Sequence, residues 1–216
     1  NNTLLPGRFS FIEEKSKVAK HKDKINLIKK YYNKNSCFTN VSFDTLDMEK
    51  IFLKENLNEA DLVISSFDSP DNMFNRELNK KTYSINKKIT YAESDWFGGR
   101  IGPTVIPGEN ACFECFYQRM RSNHDTVKYF DFYEKNKKSD EMRHTLANTY
   151  KILANYTALE VMKILTGYLY PDTYKGVYEF DFMDNREEKH HVLRMPYCEV
   201  CGDINVKTIK KIKREE

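Results

Sequence analysis

Four of the five cysteines fall in two C-x-x-C pairs, Cys112-Phe113-Glu114-Cys115 and Cys198-Glu199-Val200-Cys201. Structural zinc takes four nitrogen or sulfur ligands in a tetrahedron, and two such turns can each present two thiolates to one ion. Both pairs stand in turn contexts, with Pro107-Gly108 before the first and Pro196 and Gly202 around the second. Read as the ligands of one zinc ion, they demand a fold that brings distant segments together. Four thiolates leave no open position for water, so such a metal holds structure and does no chemistry. Two other readings stay open: a redox-active C-x-x-C, which belongs at a helix start after a strand and is not needed twice, or four unpaired thiols. Cys37 is left over; it lies in a predicted strand and reads as a small buried apolar residue rather than a nucleophile. This usage is unlike a secreted disulfide framework and suits a reducing compartment.

A chain of 216 residues is long enough for one substantial core. With 35 Lys+Arg against 32 Asp+Glu the net charge is +3, so no global basic surface asks for nucleic acid. The lysine clusters at 15–30 and 207–214 read as solvated helix faces. No apolar run approaches the ~18 residues of a membrane span, and no signal peptide opens the chain. The expectation is a soluble, cytoplasmic protein that binds neither membrane nor nucleic acid.

Along the chain, Val18, Ile25, Ile28 and Tyr32 predict an amphipathic helix over 15–32. Alternation predicts a short strand over 36–43, and a helix follows over 48–57. The run Asp61-Leu62-Val63-Ile64-Ser65-Ser66 reads as a buried parallel strand entering the turn Asp68-Ser69-Pro70-Asp71. A helix over 72–85 and a strand over 89–93 complete a strand–helix–strand order, which predicts an α/β fold with crossovers. Gly98, Gly99 and Gly102 read as turn glycines before the short run Thr104-Val105-Ile106. Residues 124–143 are charged, aromatic and aperiodic, and predict a long loop or mobile crossover. The clearest helix spans 146–165, with Leu146, Tyr150, Leu153, Thr157, Val161, Ile164 and Leu165 on one face and Gly167 as its stop. An antiparallel pair is expected from 176–181 and 191–193. His190 and His191 are not needed as ligands once four thiolates fill the shell, and His21, His124 and His144 read as solvent-facing.

Several pieces, in order, resemble the ThiF/MoeB/HesA superfamily, relatives of ubiquitin-activating enzymes that adenylate a peptide or protein carboxyl terminus with ATP. Arg8 and then Lys15 resemble the loop that carries an arginine and a lysine before a helix. The segment 60–68, ending in Asp68 and followed by Arg76 and Leu78-Asn79, resembles the strand that ends in aspartate and the helix with an arginine. Pro107-Gly108 before Cys112 and Cys115 is similar to the first zinc knuckle, and 158–167 to the helix before the last strands. The resemblance implies a Rossmann-like α/β fold of ThiF/MoeB type with a zinc-stapled C-terminal part, a single domain over 1–216 and homodimerisation. It also implies that Arg8 and Lys15 meet ATP phosphates while Asp68 holds Mg²⁺ or orients the phosphates, which suits a carboxylate at a strand's carboxyl end.

Residues 191–202 most resemble the ThiF-like partner proteins of YcaO-type cyclodehydratases, which form azolines in ribosomally made peptides. The implied function is to bind or present a precursor peptide in bacteriocin-type biosynthesis, with no catalytic residue in this chain. The superfamily's glycine-rich first turn has no counterpart here, since Gly98-Gly99-Arg100-Ile101-Gly102 lacks the G-x-G-x-x-G spacing. The N-terminal βαβ unit is therefore expected to be missing. No cysteine stands in the crossover, which disfavours a thioester. Two alternatives remain: an adenylating enzyme acting through Arg8, Lys15 and Asp68, and a zinc-bound binding module without nucleotide.

Overall fold

A computed structural model of the protein describes residues 24–35, 40–43, 57–67, 71–95, 97–136 and 146–203. Within them a five-stranded sheet runs in chain order, β1-β2-β3-β4-β5. Strand β1 (Leu62–Phe67) passes through helix α2 (Asn72–Ser84) to β2 (Lys88–Ser94), and the two strands pair in parallel from Leu62↔Lys88 to Phe67↔Glu93. This is the expected crossover, but β1 is not buried as expected: Ile64 and Ser66 are exposed, and of its described side chains only Ser65 is buried. Helix α2 starts where Asp71 caps it, its side chain accepting the Phe74 N–H at 2.9 Å. Ahead of the sheet lies α1 (Lys24–Asn35), the described part of the amphipathic N-terminal helix, which runs three residues beyond its expected end. The expected strand over 36–43 is not formed at 40–43, and its first half lies outside the described residues; Phe43 instead meets Tyr32 edge-on at 6.1 Å. Of the helix expected over 48–57, only Leu57 is described; it is helical and buried.

The largest departure concerns the glycines. Strand β3 (Gly98–Val105) pairs antiparallel with β2 and with β4 (Gly176–Asp181), so Gly98, Gly99 and Gly102 lie within the sheet instead of a turn. A Cβ on Gly98 would collide with the Phe180 carbonyl, and one on Gly99 with the Glu93 carbonyl and the Leu153 side chain. Glycine here marks close backbone approach. It also erases the alternation that would have announced a strand. The antiparallel pair before the second knuckle is present, but β4 pairs with β5 (Arg186–His191) rather than with 191–193. Its sequence REEKHH is wholly polar because β5 is an edge strand exposed on both faces, and no apolar signal marks it.

Helix α3 (Phe113–Ser122) follows β3, and α4 (Val127–Asn136) occupies part of the segment expected to be loop. Only Phe130 of α4 is buried, so its apolar pattern is too sparse to reveal a helix; Arg121 grips Asp131 with two hydrogen bonds of 2.6 Å to hold it on α3. Helix α5 (Ala147–Thr166) ends at Gly167, whose φ of 64° gives the left-handed cap the sequence indicated. Leu153, Thr157 and Ile164 face inward as expected, joined by Thr149 and Glu160, whereas Leu146 and Leu165 stand exposed. Glu160 accepts from the Thr173 N–H and hydroxyl, both at 2.8 Å, which locks the turn Asp172–Lys175 under the helix.

The sheet separates two apolar layers. On one side Phe74, Leu78, Ile89, Tyr91, Val105 and Phe113 pack with all four knuckle cysteines; on the other, Ile101 and Phe180 meet Leu153 of α5. Leu153→Ala should therefore cost about 3 kcal/mol in urea unfolding, the scale of a buried leucine truncation. Cysteine-bound metal should be unchanged in that variant, because the sheet lies between the two layers. A cost well under ~1 kcal/mol would mean that α5 does not carry the second layer.

Candidate metal centre

Each knuckle is placed by its own backbone. Cys112 closes the loop after β3 and is the N-cap of α3, so Cys115 falls in that helix's first turn. The second pair sits in a tight turn after β5, with the Cys198 N–H on the Met195 carbonyl at 3.1 Å and the Gly202 N–H on the Cys198 carbonyl at 2.9 Å. Gly202 is required there, since a Cβ would lie 2.6 Å from both the Cys198 and the Pro196 carbonyl oxygens.

The two turns meet. Cys112 Sγ lies 3.6 Å from Cys198 Sγ, Cys115 Sγ 3.3 Å from Cys201 Sγ, and all four sulfurs lie within 4.8 Å of one another. A tetrahedral ion bound at ~2.3 Å to each sulfur sets sulfur–sulfur edges of roughly 3.8 Å, so the four could hold one metal ion with small adjustments. All four are buried and none forms a disulfide. The first knuckle does open a helix after a strand, the position a redox pair takes, so position alone does not separate the readings. The convergence of the second pair does, because a dithiol redox site needs only two sulfurs.

Crowding divides the protons among these thiols. Hydrogen bonds to Cys115, then Cys198 and Cys201, push the Cys112 thiol up. The reciprocal bonds, that with Cys112 first, pull Cys198 down, and Cys201 is pulled to about 7, again by Cys112 first. A bound cation would hold all four as thiolates. The Met195 N–H, 3.3 Å from Cys115 Sγ, donates to that sulfur, and Arg194 Nε donates to the Cys201 carbonyl at 2.7 Å.

Sequence reasoning singled out Arg76 and Asn79 only as marks of a resemblance and passed over Glu114, so the brace they form on the first knuckle was not foreseen. Glu114, between its two cysteines, is buried and accepts from Arg76 Nε at 2.6 Å and Nη2 at 2.8 Å, and from Gln118 at 2.7 Å. Arg76 also stacks over the Tyr117 ring at 4.4 Å, and the hydrogen bond to Glu114 holds its guanidinium more firmly protonated. Asn79 Oδ1 accepts the Phe113 N–H at 3.1 Å. Helix α2 is thereby pinned to the cysteine turn by Arg76 and Asn79, one helical turn apart. The signal available was an acidic residue inside a C-x-x-C, too common a pairing to single out. Tyr91 OH and Asn79 Nδ2 are buried in the same layer and have no hydrogen-bond partner among the described residues. Burial, then the nearness of Cys112 and Glu93, raises the Tyr91 phenol well above its ordinary range.

A second polar group gathers near the carboxyl ends of β1 and β2. Ser65 Oγ donates to Asn75 Oδ1 at 2.6 Å, Asn75 Nδ2 to Glu93 at 3.2 Å, and Arg100 pairs with Glu93 while stacking on Phe116 at 4.6 Å. Beside it opens a cleft of about 710 Å³ bordered by Glu93, Asp95, Gly99, Arg100, Phe180 and Asp181. The expected nucleotide residues Arg8, Lys15 and Asp68 lie outside the described residues, as do Cys37, His21 and His144. His190 stands away from the sulfurs, 3.2 Å from Glu179, and His124 is exposed against the Phe130 ring.

This fold and cysteine arrangement agree with the sequence comparisons: residues 8–200 match the ThiF family, and the chain belongs to it. Among solved structures it is similar to MccB of E. coli, with 22% identity, a TM-score of 0.65, and 91% of this chain and 54% of that one covered. MccB has also been solved with ATP and, as SeMet MccA, with MccA. A heterocyclase in complex with substrate and cofactor matches at 18% identity and a TM-score of 0.59, covering 71% of this chain and 22% of its own. The chain spans about half the length of the MccB structures it matches. No curated protein matches it. Among the described residues no helix is long and apolar enough to cross a membrane.

Replacing any one of the four cysteines by serine should abolish stoichiometric metal by elemental analysis. Because protons compete for the thiolates, bound metal should also be lost as pH falls toward about 5. Glu114→Ala should cost roughly 3 kcal/mol in denaturant unfolding, since it strands Arg76. A cost under about 0.5 kcal/mol would show that the pair does not brace the knuckle.

Proposed function

We propose that this chain is the ThiF-type component of a system that modifies a ribosomally made, bacteriocin-type peptide. In this reading it binds the precursor peptide and presents it to a YcaO-type cyclodehydratase, which forms azolines from Cys, Ser or Thr. It acts in the cytoplasm as a homodimer of a single ThiF-like domain. One structural Zn²⁺ is held by Cys112, Cys115, Cys198 and Cys201.

The observation that carries the reading is the recurrence of this fold in a Microcin C7 biosynthetic enzyme and in a heterocyclase. The first, MccB, has been solved with N-formylated MccA, and the heterocyclase with substrate and cofactor. The metal centre supports a scaffold role: four sulfurs fill a tetrahedral shell, so the ion would staple the knuckles and supply no Lewis-acid position. Among the described residues β5 pairs only with β4, which leaves one edge of β5 open for an extended peptide to add as a strand.

A second reading is favoured by the ATP-bound MccB structure. There the chain takes part in adenylation, with Arg8 and Lys15 neutralising phosphates and Asp68 holding Mg²⁺. The peptide carboxylate attacks the α-phosphate, giving an acyl-adenylate and pyrophosphate.

Purified protein should contain one zinc per chain. Added to a YcaO cyclodehydratase and its precursor peptide, it should increase the yield of products that have lost one water per ring, read by mass spectrometry. Unchanged yield together with peptide-dependent pyrophosphate release would sink the scaffold reading and leave the adenylating one.

A further inference from the structure

Of the arginines among the described residues, Arg76, Arg100, Arg121, Arg186 and Arg194 each reach a carboxylate, and Arg119 does not. Its Nε donates instead to the Leu193 carbonyl at 3.1 Å, just past the end of β5. That bond fixes the guanidinium and leaves both Nη groups without a partner among the described residues. Arg119 lines a cleft of about 590 Å³ between α3 and the β4–β5 hairpin, with Phe116, Glu179, His124, His190 and His191 among its walls. The other charges there are engaged or in water: Arg100 pairs with Glu93, Glu179 lies 3.2 Å from His190, and Asp125 is exposed. The cleft therefore offers one uncommitted guanidinium beside three imidazoles, a donor set that suits a carboxylate.

This cleft lies where β5 ends. The Val192 N–H bonds to the Lys175 carbonyl at 2.9 Å, on the side of β4. Backbone groups alternate along an antiparallel ladder, so those of Glu187, Lys189 and His191 turn toward the free edge of β5. Side chains alternate as well. Val177 lies in the metal layer and pairs with His190, so Glu188, His190 and Val192 share the face on which Arg119 stands. A strand added at the free edge sets every second side chain on that face. The one beside His190 or Val192 is at the Arg119 end of the row; two residues back the row carries Glu188, which disfavours an acid there. A row that is cationic at one end and acidic at the other sets the register of an incoming strand.

We infer that the cleft under the end of β5 is a carboxylate subsite, in which Arg119 receives the side chain of an aspartate or glutamate on a peptide strand paired with β5. The inference rests on the peptide-binding part of the preceding proposal and names its substrate class: a peptide with an acidic residue in the segment that adds to the sheet. It needs neither the metal nor ATP.

The probes are two acetylated and amidated heptapeptides of alternating Thr and Val, one with a central Glu and its twin with Gln, so no terminal carboxylate competes. Binding to the full chain, labelled with ¹⁵N, is read from the amide shifts of Lys189 and His191. Wild type should bind the Glu peptide about fivefold more tightly than the Gln peptide, the upper range for a partly exposed ion pair. Arg119→Gln should bind both alike, with the affinity that wild type shows for the Gln peptide. Equal binding of the two by wild type, a preference that survives Arg119→Gln, or no binding of either peptide would overturn the inference. If Arg119→Gln does not fold, the Arg119 Nε–H resonance of wild type decides: a shift with the Glu peptide alone supports the subsite, and equal shifts with both overturn it. Azoline yield with the cyclodehydratase is a separate readout. A preference for Glu without a gain in yield defeats the functional proposal alone, and a gain in yield without the preference defeats this inference alone.

Discussion

The convergence of four sulfurs from segments 86 residues apart is the constraint around which one side of this protein is built. Closing a loop of that length costs about 4–5 kcal/mol of chain entropy on a cross-link model. The closure is shared among the sulfurs, the Met195 N–H on Cys115 Sγ and Arg119 on the Leu193 carbonyl, while the packing of Phe113 on Tyr91 at 4.4 Å and the ion pair between Arg76 and Glu114 hold the first knuckle to the sheet and α2. The cysteines sit within the apolar cluster itself, so the knuckles and the core stand or fall together. A metal in that position would act on folding more than on chemistry.

The parallel crossover and the antiparallel strands have separate duties. Pairing of β1 with β2 sets α2 over the sheet and delivers Arg76 and Asn79 to the first knuckle, while β3 leads straight into that knuckle. Strands β4 and β5 then carry the chain to the second. The group made by Ser65, Asn75, Glu93 and Arg100 lies near the strand ends where open α/β sheets receive ligands. It shows how a buried glutamate is tolerated: both of its oxygens are engaged, one by an amide and one by a guanidinium. On the far side of the sheet α5 supplies a smaller layer and an outer surface of different character, so the metal layer and the apolar surface are separated by the sheet.

Membership of the ThiF family gives this architecture its context, and the same fold is seen in a Microcin C7 biosynthetic enzyme and in a heterocyclase. They share under a quarter of their residues with this chain, so the fold is common property and the chemistry is a matter for the individual sites. The four clustered sulfurs bear on that division, because an ion held by all four would serve architecture and have no open position for chemistry.

Local signals in the sequence determined the elements whose chemistry is local. The β-branched run at 62–66, the capping Asp71, the Gly167 stop and both C-x-x-C turns were legible because each is set by residues within a few positions of one another. The family was legible from the order of such pieces. The glycines of β3 were misread because their purpose is to admit Phe180 and Glu93, residues distant in sequence. Strand β5 was displaced by several positions because an edge strand with both faces in water carries no apolar period. Helix α4 was missed because one buried phenylalanine cannot mark a face, and the bracing role of Glu114 because its partner Arg76 stands 38 residues away. The sequence by itself thus determined which four sulfurs were available, the crossover from β1 through α2 to β2, and the long helix α5. Only the tertiary structure decided that the sulfurs meet, which charges are buried in pairs, and which face of α5 remains uncovered, since each depends on contacts between segments that have no local signature.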